Sequence, residues 1–270
     1  MKLLNKKIFL LLMISQNLFP FFSRQSQSAK LIGKGFCGIA NFGIENILIN
    51  PAATNTNKNY SFSFYTSPGE FNLSQLSFRG LSANYKFEEN NYQISISQFG
   101  DSKYNEQTYT GNFSTKINDE IYFGLNLNQH ILTIEKYGNA NSASLDLGII
   151  LKINNNLNFG VAIQNIIAQK IGLANEDLPQ NYSVGINFIP IENTFLEWNV
   201  SKETSTEISN RFGTEFAISE NIKLRSGFMT EPNKMFGGFS VNTNYANFDY
   251  SYSFHRELGE THTYSIEINF

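Results

Sequence analysis

Glu260-Thr-His-Thr-Tyr-Ser-Ile-Glu-Ile-Asn-Phe270 is the stretch whose reading decides the fold. His262, Tyr264, Ile266, Ile268 and Phe270 fall on one parity, and Thr261, Thr263, Ser265, Glu267 and Asn269 on the other. Successive side chains of a strand point to opposite faces, so this is a strand with one apolar and one polar face. Ending on a bare aromatic, it fits a strand that closes a barrel in a membrane. Tyr264, Ile266, Ile268 and Phe270 are then expected to serve barrel closure and assembly, with the apolar parity facing lipid and Glu267 facing the lumen.

Working outward, the same period of two runs back to Tyr60 almost without interruption. Fourteen segments carry it. They begin with Tyr60, Phe62 and Phe64, continue through Leu81 to Phe87, Tyr92 to Ile96 and onward, and end at Phe248 to Phe254 and the closing strand. An even count suits a single-chain outer-membrane barrel. The connections add a second argument. After even-numbered strands they are tight, as at Glu89-Asn90, Asn154-Asn155 and Thr243-Asn244. After odd-numbered strands they are longer on average, the longest running from about Ile166 to Asn181. Barrels have short turns on one side and longer loops on the other. The predicted fold is all-β, a 14-stranded antiparallel transmembrane barrel with a short N-terminal hatch or plug segment.

Composition agrees. Of 270 residues, 41% are hydrophobic, 16% charged and 14% aromatic, with 25 Phe and 13 Tyr. Few charges and many aromatics argue against disorder. A mean hydropathy of −0.26 argues against a helical membrane protein. Only a strand barrel combines a membrane location with such modest hydropathy, because every second residue alone meets lipid.

Residues 1–28 read as a secretory signal peptide, with Lys2, Lys6 and Lys7 ahead of an apolar run from Ile8 to Phe22 and small residues, Ser26 and Ser28, before the cleavage point. Its removal takes away Lys2, Lys6, Lys7 and Arg24 and no acid, so the net charge falls from −3 to −7. A nucleic-acid partner is excluded on that charge. Residues 29–57 do not alternate and are rich in glycine and small residues, so they form a separate hatch-like segment ahead of a barrel at 58–270. Cys37 is the one cysteine, read as an unmodified thiol that leaves no intramolecular disulfide.

The polar parity is too highly charged for a dry core. Asp146, Lys152, Arg211, Glu215, Lys223, Arg225 and Glu267 are its candidate lumen charges. Their mixed signs predict no strong ion selectivity.

The stretch Gly38-Ile-Ala-Asn-Phe-Gly-Ile-Glu-Asn-Ile-Leu-Ile-Asn-Pro-Ala-Ala resembles the N-terminal Gly-x-Ala…Asn-Pro-Ala signature of the FadL/PorV/PorQ-type outer-membrane barrels. Ser95-Ile-Ser-Gln-Phe-Gly, the Tyr137-Gly-Asn turn and the closing strand extend the resemblance over nearly the whole mature chain. It implies a fourteen-stranded barrel whose N-terminal segment folds into the lumen, with Asn50, Pro51 and Ala52 as the hatch motif. The chain is much shorter than the fatty-acid transporters of that family and its outer loops are small. The resemblance therefore points to a smaller, PorV/PorQ-like member, a non-catalytic accessory of the cell envelope or of protein secretion. The alternative it leaves is a FadL-like conduit for small hydrophobic compounds. The expected location is the outer membrane of a Gram-negative-type bacterium. The expected partners are its lipid, the barrel-assembly machinery and secretion-system or other envelope proteins.

Chemistry-bearing motifs are weak. His255 and His262 lie near Ser253 and Ser265, but a hydrolase needs nucleophile and base within hydrogen-bond reach. Two histidines without a spaced set of carboxylates make a poor metal site. Asp101, Glu176 and Asp177 read as solvated loop acids rather than a calcium site. No catalytic residue, metal or cofactor is expected.

Overall fold

The computed structural model describes residues 21–22, 27–172 and 174–270, so the predicted signal peptide falls almost entirely outside the described residues. Fourteen antiparallel strands close into one barrel, each paired with its neighbours in sequence and the last with the first. They are β1 (Tyr60–Ser67), β2 (Phe78–Phe87), β3 (Asn90–Gly100), β4 (Tyr104–Lys116), β5 (Ile121–Ile134), β6 (Gly138–Asn154) and β7 (Leu157–Ala168). The second half comprises β8 (Asn181–Phe188), β9 (Thr194–Glu203), β10 (Ile208–Ala217), β11 (Ile222–Met229), β12 (Lys234–Asn242), β13 (Ala246–His255) and β14 (Gly259–Asn269).

Closure is made between β1 and the Glu260–Phe270 stretch. Ile268 stands opposite Phe62 and Ile266 opposite Phe64. Phe270 N donates to Tyr60 O at 2.9 Å, and the rings of Phe62 and Phe270 meet edge to face with centroids 6.3 Å apart. No sheet edge is left with unpaired backbone groups, which lipid could not satisfy.

Parity holds around the whole wall. Phe62, Leu81, Ile94, Leu127, Trp198, Phe212, Phe239 and Tyr264 are exposed on the outer face. Asn112, Asn126, Asp146, Glu197, Arg225 and Asp249 are buried on the inner one. An apolar exterior over a polar interior inverts the soluble pattern and makes this a membrane-spanning barrel. Among the described residues no helix is long and apolar enough to cross a membrane.

The connections on one side are all short. On the other, only two are long, residues 68–77 and 169–180. The β6–β7 register shifts twice, between Leu145 and Leu147 and between Lys152 and Asn154. At the first shift Asn165, at φ 54°, turns its N–H inward to Asp146 Oδ1 at 2.8 Å. Asparagine tolerates this left-handed backbone better than most residues.

Residues 29–54 lie inside the barrel. They form a short helix α1 (Ala29–Ile32) and two 3-10 turns, Ile44–Leu48 and Pro51–Thr54. Helix α1 packs against β12, β13 and β14, the first turn against β1 and β3, and the second against β4, β5 and β6. The segment thus runs round the inner wall rather than crossing it once.

Candidate functional site

The segment and the space above it form the candidate site. Its docking begins with missing side chains. On the inner parity of β5, β6, β7, β10 and β11 stand Gly124, Gly148, Gly160, Gly213 and Gly227. At each of them an added Cβ would collide with the segment itself. At Gly148 the collision is with Asn50 Oδ1, and at Gly213 with the Lys34 carbonyl oxygen. At four of them the nearest atom is in the segment's backbone, and at Gly148 the nearest are the buried side chains of Asn50 and Pro51, so only glycine leaves room for the close approach.

Asn50-Pro51 explains the second turn. Asn50 is its N-cap, with Oδ1 accepting from Ala52 N at 3.0 Å, and Pro51 occupies the first turn, where no N–H is needed. Asn50 Nδ2 also donates to Ile39 O at 2.6 Å, tying the two parts of the segment together. Ala52 is fully buried, beside Tyr122 and Ile150.

Irregular backbone leaves carbonyls that helix and sheet would otherwise satisfy, and buried carbonyls need donors. Amide side chains of the wall supply them. Gln93 Nε2 donates to Ile44 O at 2.8 Å, and Asn126 Nδ2 to Ile47 O at 2.8 Å. Gln164 Nε2 donates to Ile49 O at 3.2 Å, and Asn112 Nδ2 to Pro51 O at 3.1 Å. Behind them Asp146 accepts from Asn126 and Asn128 at 3.1 and 2.9 Å.

The opposite wall holds the segment by charge. Lys34 Nζ lies 2.6 Å from Glu197 Oε1, with both side chains at 2% exposure or less, and Asn41 Nδ2 donates to the same oxygen at 2.9 Å. Arg225 bridges Glu215 at 2.7 Å and Asp249 at 2.8 Å, and Lys223 meets Glu215 at 3.1 Å. Glu267 faces inward and accepts from Asn269 Nδ2 at 2.9 Å. Lys30 pairs with Glu45 at 2.8 Å. Burial works to lower the Lys30 pKa, but the Glu45, Glu267 and Glu215 carboxylates outweigh it and hold the ammonium above its ordinary range. Burial pushes the Cys37 thiol well up, and the nearby Glu197 carboxylate adds to this, so it is inert. Lys152, on β6, rests over the rings of Phe42 and Tyr122.

Above the segment, toward the side with the two long connections, lies a cavity of about 500 Å³. Phe36, Ile39, Leu48 and Ile49 of the segment give it an apolar floor. Arg211 is on its wall, with the guanidinium 5.8 Å from the Phe36 ring centroid and no acceptor for Nε among the described residues. The sequence placed Arg211 among the lumen charges. That the segment's apolar residues turn toward the same space was not legible, because their spacing follows no period.

The other candidates do not converge. His262 faces outward, where its Nδ1 is 2.7 Å from the Tyr250 hydroxyl, while Ser253 and Ser265 are buried on the inner face. His255 Nδ1 accepts from the backbone N–H groups of Glu257 and Leu258 and closes a turn. Asp101 accepts from Lys103 N at 2.8 Å and Tyr104 N at 3.2 Å, which holds its carboxyl below the ordinary range. Asp177 pairs with Lys170 at 3.3 Å. Among the described residues no three His, Cys, Asp or Glu side chains gather as metal ligands.

No protein-family model matches this chain, and no curated protein sequence matches it. Solved structures do. The CymD monoaromatic hydrocarbon channel aligns over 92% of this chain and 99% of its own, with a TM-score of 0.71 at 12% identity. The toluene transporter TodX of Pseudomonas putida aligns over 91% and 99%, with a TM-score of 0.71 at 9% identity. A FadL homologue from Pseudomonas aeruginosa aligns over 93% and 100%, with a TM-score of 0.66 at 11% identity. The fold is that of these Gram-negative outer-membrane barrels. At such identities the likeness speaks for the fold and leaves the cargo to the site.

Proposed function

We propose that this chain is an outer-membrane conduit for small hydrophobic or amphipathic compounds, with residues 29–57 acting as a hatch. One observation carries the reading. The cavity at the long-loop side has an apolar floor made by the segment that fills the lumen below it, so a captured compound rests directly on the part that must shift to let it pass. Arg211, with an unmet N–H at the wall, supplies a place for the polar end of an amphipathic compound. Two of the similar solved structures are named as a hydrocarbon channel and a toluene transporter, which supports the conduit over the PorV/PorQ-like secretion accessory. In this reading the assembly machinery and outer-membrane lipid remain as partners, and no secretion partner is required.

The test is uptake in a Gram-negative host that lacks its own barrels of this fold. Cells producing this chain should accumulate labelled toluene and labelled short-chain carboxylates faster than cells carrying the empty vector. Ile49→Asp, which puts a charge on the cavity floor, should abolish the gain for both. Arg211→Ala should reduce it for the carboxylate alone. Uptake equal to the vector control, with the barrel shown to be folded at the cell surface, would end the conduit reading.

A further inference from the structure

Phe22 fills a built seat at the loop end of the lumen. Its side chain is buried among Leu132, Ile171 and Leu178, and its ring lies 4.8 Å from the His130 ring. Its backbone N–H donates to Glu106 Oε2 at 3.0 Å, and the Tyr104 hydroxyl donates to the other oxygen of that carboxylate. Glu106 and Tyr104 both project inward from β4. Phe22 also borders the 500 Å³ cavity, so the seat opens into the space where a compound would be captured.

Phe22 belongs to residues 1–28, which the sequence marks as a signal peptide. On that reading, hydrolysis of one peptide bond during export removes it and leaves the seat without its occupant. What remains is an apolar slot floored by leucine and isoleucine, one imidazole that stood tilted at 55° to the ring, and one carboxylate a fixed distance from the ring. An apolar pocket with a few convergent polar groups is the usual form of a small-molecule site.

The occupant specifies the ligand. From nitrogen to ring, Phe22 runs N, Cα, Cβ, ring, which is the skeleton of 2-phenylethylamine. We infer that in the processed protein the Phe22 seat is a subsite for aralkylamines, in which two carbons join an aromatic ring to an ammonium group. The ring takes the place of the Phe22 ring against His130, and the ammonium donates to Glu106. The inference rests on the conduit reading for its route of entry, and it adds a preference that an apolar cavity alone would not have. A hydrocarbon of the same size fills the slot but leaves the carboxylate without its charged partner. An isosteric acid places two anions together.

The experiment uses the exported, detergent-purified protein. Intact mass first establishes that Phe21 and Phe22 have been removed. Titration calorimetry then compares 2-phenylethylamine, ethylbenzene and 3-phenylpropionate, a series that needs no variant. The amine should bind at least about tenfold more tightly than ethylbenzene, the worth of one charge-assisted hydrogen bond, and the acid should be weakest. Glu106→Gln should bring the amine down to the hydrocarbon and leave the hydrocarbon unchanged. Leu132→Trp, which fills the slot, should abolish binding of all three in a barrel that still migrates as folded. A mature protein that retains Phe22, equal binding of the three compounds, or full amine affinity in Glu106→Gln would each overturn the inference. Failure of amine binding with hydrocarbon uptake intact removes only this subsite. Failure of uptake for every compound removes the conduit reading itself.

Discussion

The two sides of the inner wall hold the same segment by different physics. From β3 to β7 the grip is made of neutral amides, Gln93, Asn112, Asn126 and Gln164, each donating to a carbonyl of the segment. From β9 to β14 it is made of charge, with Lys34 buried on Glu197, while the Arg225 network beside it ties the wall strands to one another. The difference follows from what each wall must satisfy. The 3-10 turns present bare carbonyls, which a side-chain amide can meet without burying a charge. The stretch around α1 carries Lys30 and Lys34, and a lysine taken out of water requires a carboxylate. The amide side is therefore fitted to backbone shape and the charged side to one particular side chain, Lys34, while Lys30 is met by Glu45 within the segment. If the segment moves as the proposed hatch, it should yield first where few bonds carry most of the hold, and that is the Lys34 side.

The strongest way to break the comparison is to deny the segment its seat altogether. Gly148→Leu drives a Cβ into Asn50 Oδ1. Overpacking ordinarily costs about 1–3 kcal/mol, and here the first side-chain atom itself collides, so the effect should exceed that range. Residues 29–57 should become open to protease, and single-channel conductance should rise. Gly111→Leu is the control, since Gly111 sits on the lipid face with nothing near its Cβ position, and it should change neither. Conductance unchanged in Gly148→Leu would mean that the segment does not close the lumen.

Next in size is Lys34→Met, which leaves Glu197 buried with the Asn41 amide but without its cationic partner. Removing one partner of a buried pair costs about 3–5 kcal/mol. The urea midpoint of the heat-modifiable band should fall, and pairing the change with Glu197→Gln should restore much of the loss. If the single variant is as stable as the parent, the charged side contributes nothing to the grip.

How much of this was legible follows from what sequence patterns encode. Strand number, parity and the β1–β14 seam were legible because lipid and a polar interior impose a period of two on every strand. Parity alone predicts Asp146, Arg225 and Glu267 on the inner face. The route of residues 29–54 could not be read, because no period governs a segment held by scattered tertiary bonds. One signal was present. Gly124, Gly148, Gly160 and Gly213 all fall on the polar parity of their strands, where a lumen-lining residue should carry a polar side chain. Missing side chains on the inner face of several strands mark the path of something pressed against that face.

On the amide side Asn50→Ala tests whether many weak bonds tolerate loss better than one strong pair. The variant removes the N-cap of the Pro51 turn and the bond to Ile39 O, a loss of about 1–2 kcal/mol. The urea midpoint should drop by less than in Lys34→Met, and protease should reach residues 29–57 only slowly. Equal losses in the two variants would erase the distinction between the walls.

The smallest effect is expected outside both walls. Ile268→Asp places a charge on the lipid face of the seam, opposite Phe62. Ile268 lies one residue before Asn269, where β14 ends, and a charge on the lipid face near an interface costs about 0–1 kcal/mol, against several at the midplane. Assembly into the heat-modifiable form should slow, because the last strand must pair with β1 to close the barrel. Once folded, the variant should protect residues 29–57 as well as the parent does, since neither grip on the segment involves the outer face. Loss of that protection in a fully folded Ile268→Asp barrel would show that the seam, and not the two inner walls, keeps the segment in place.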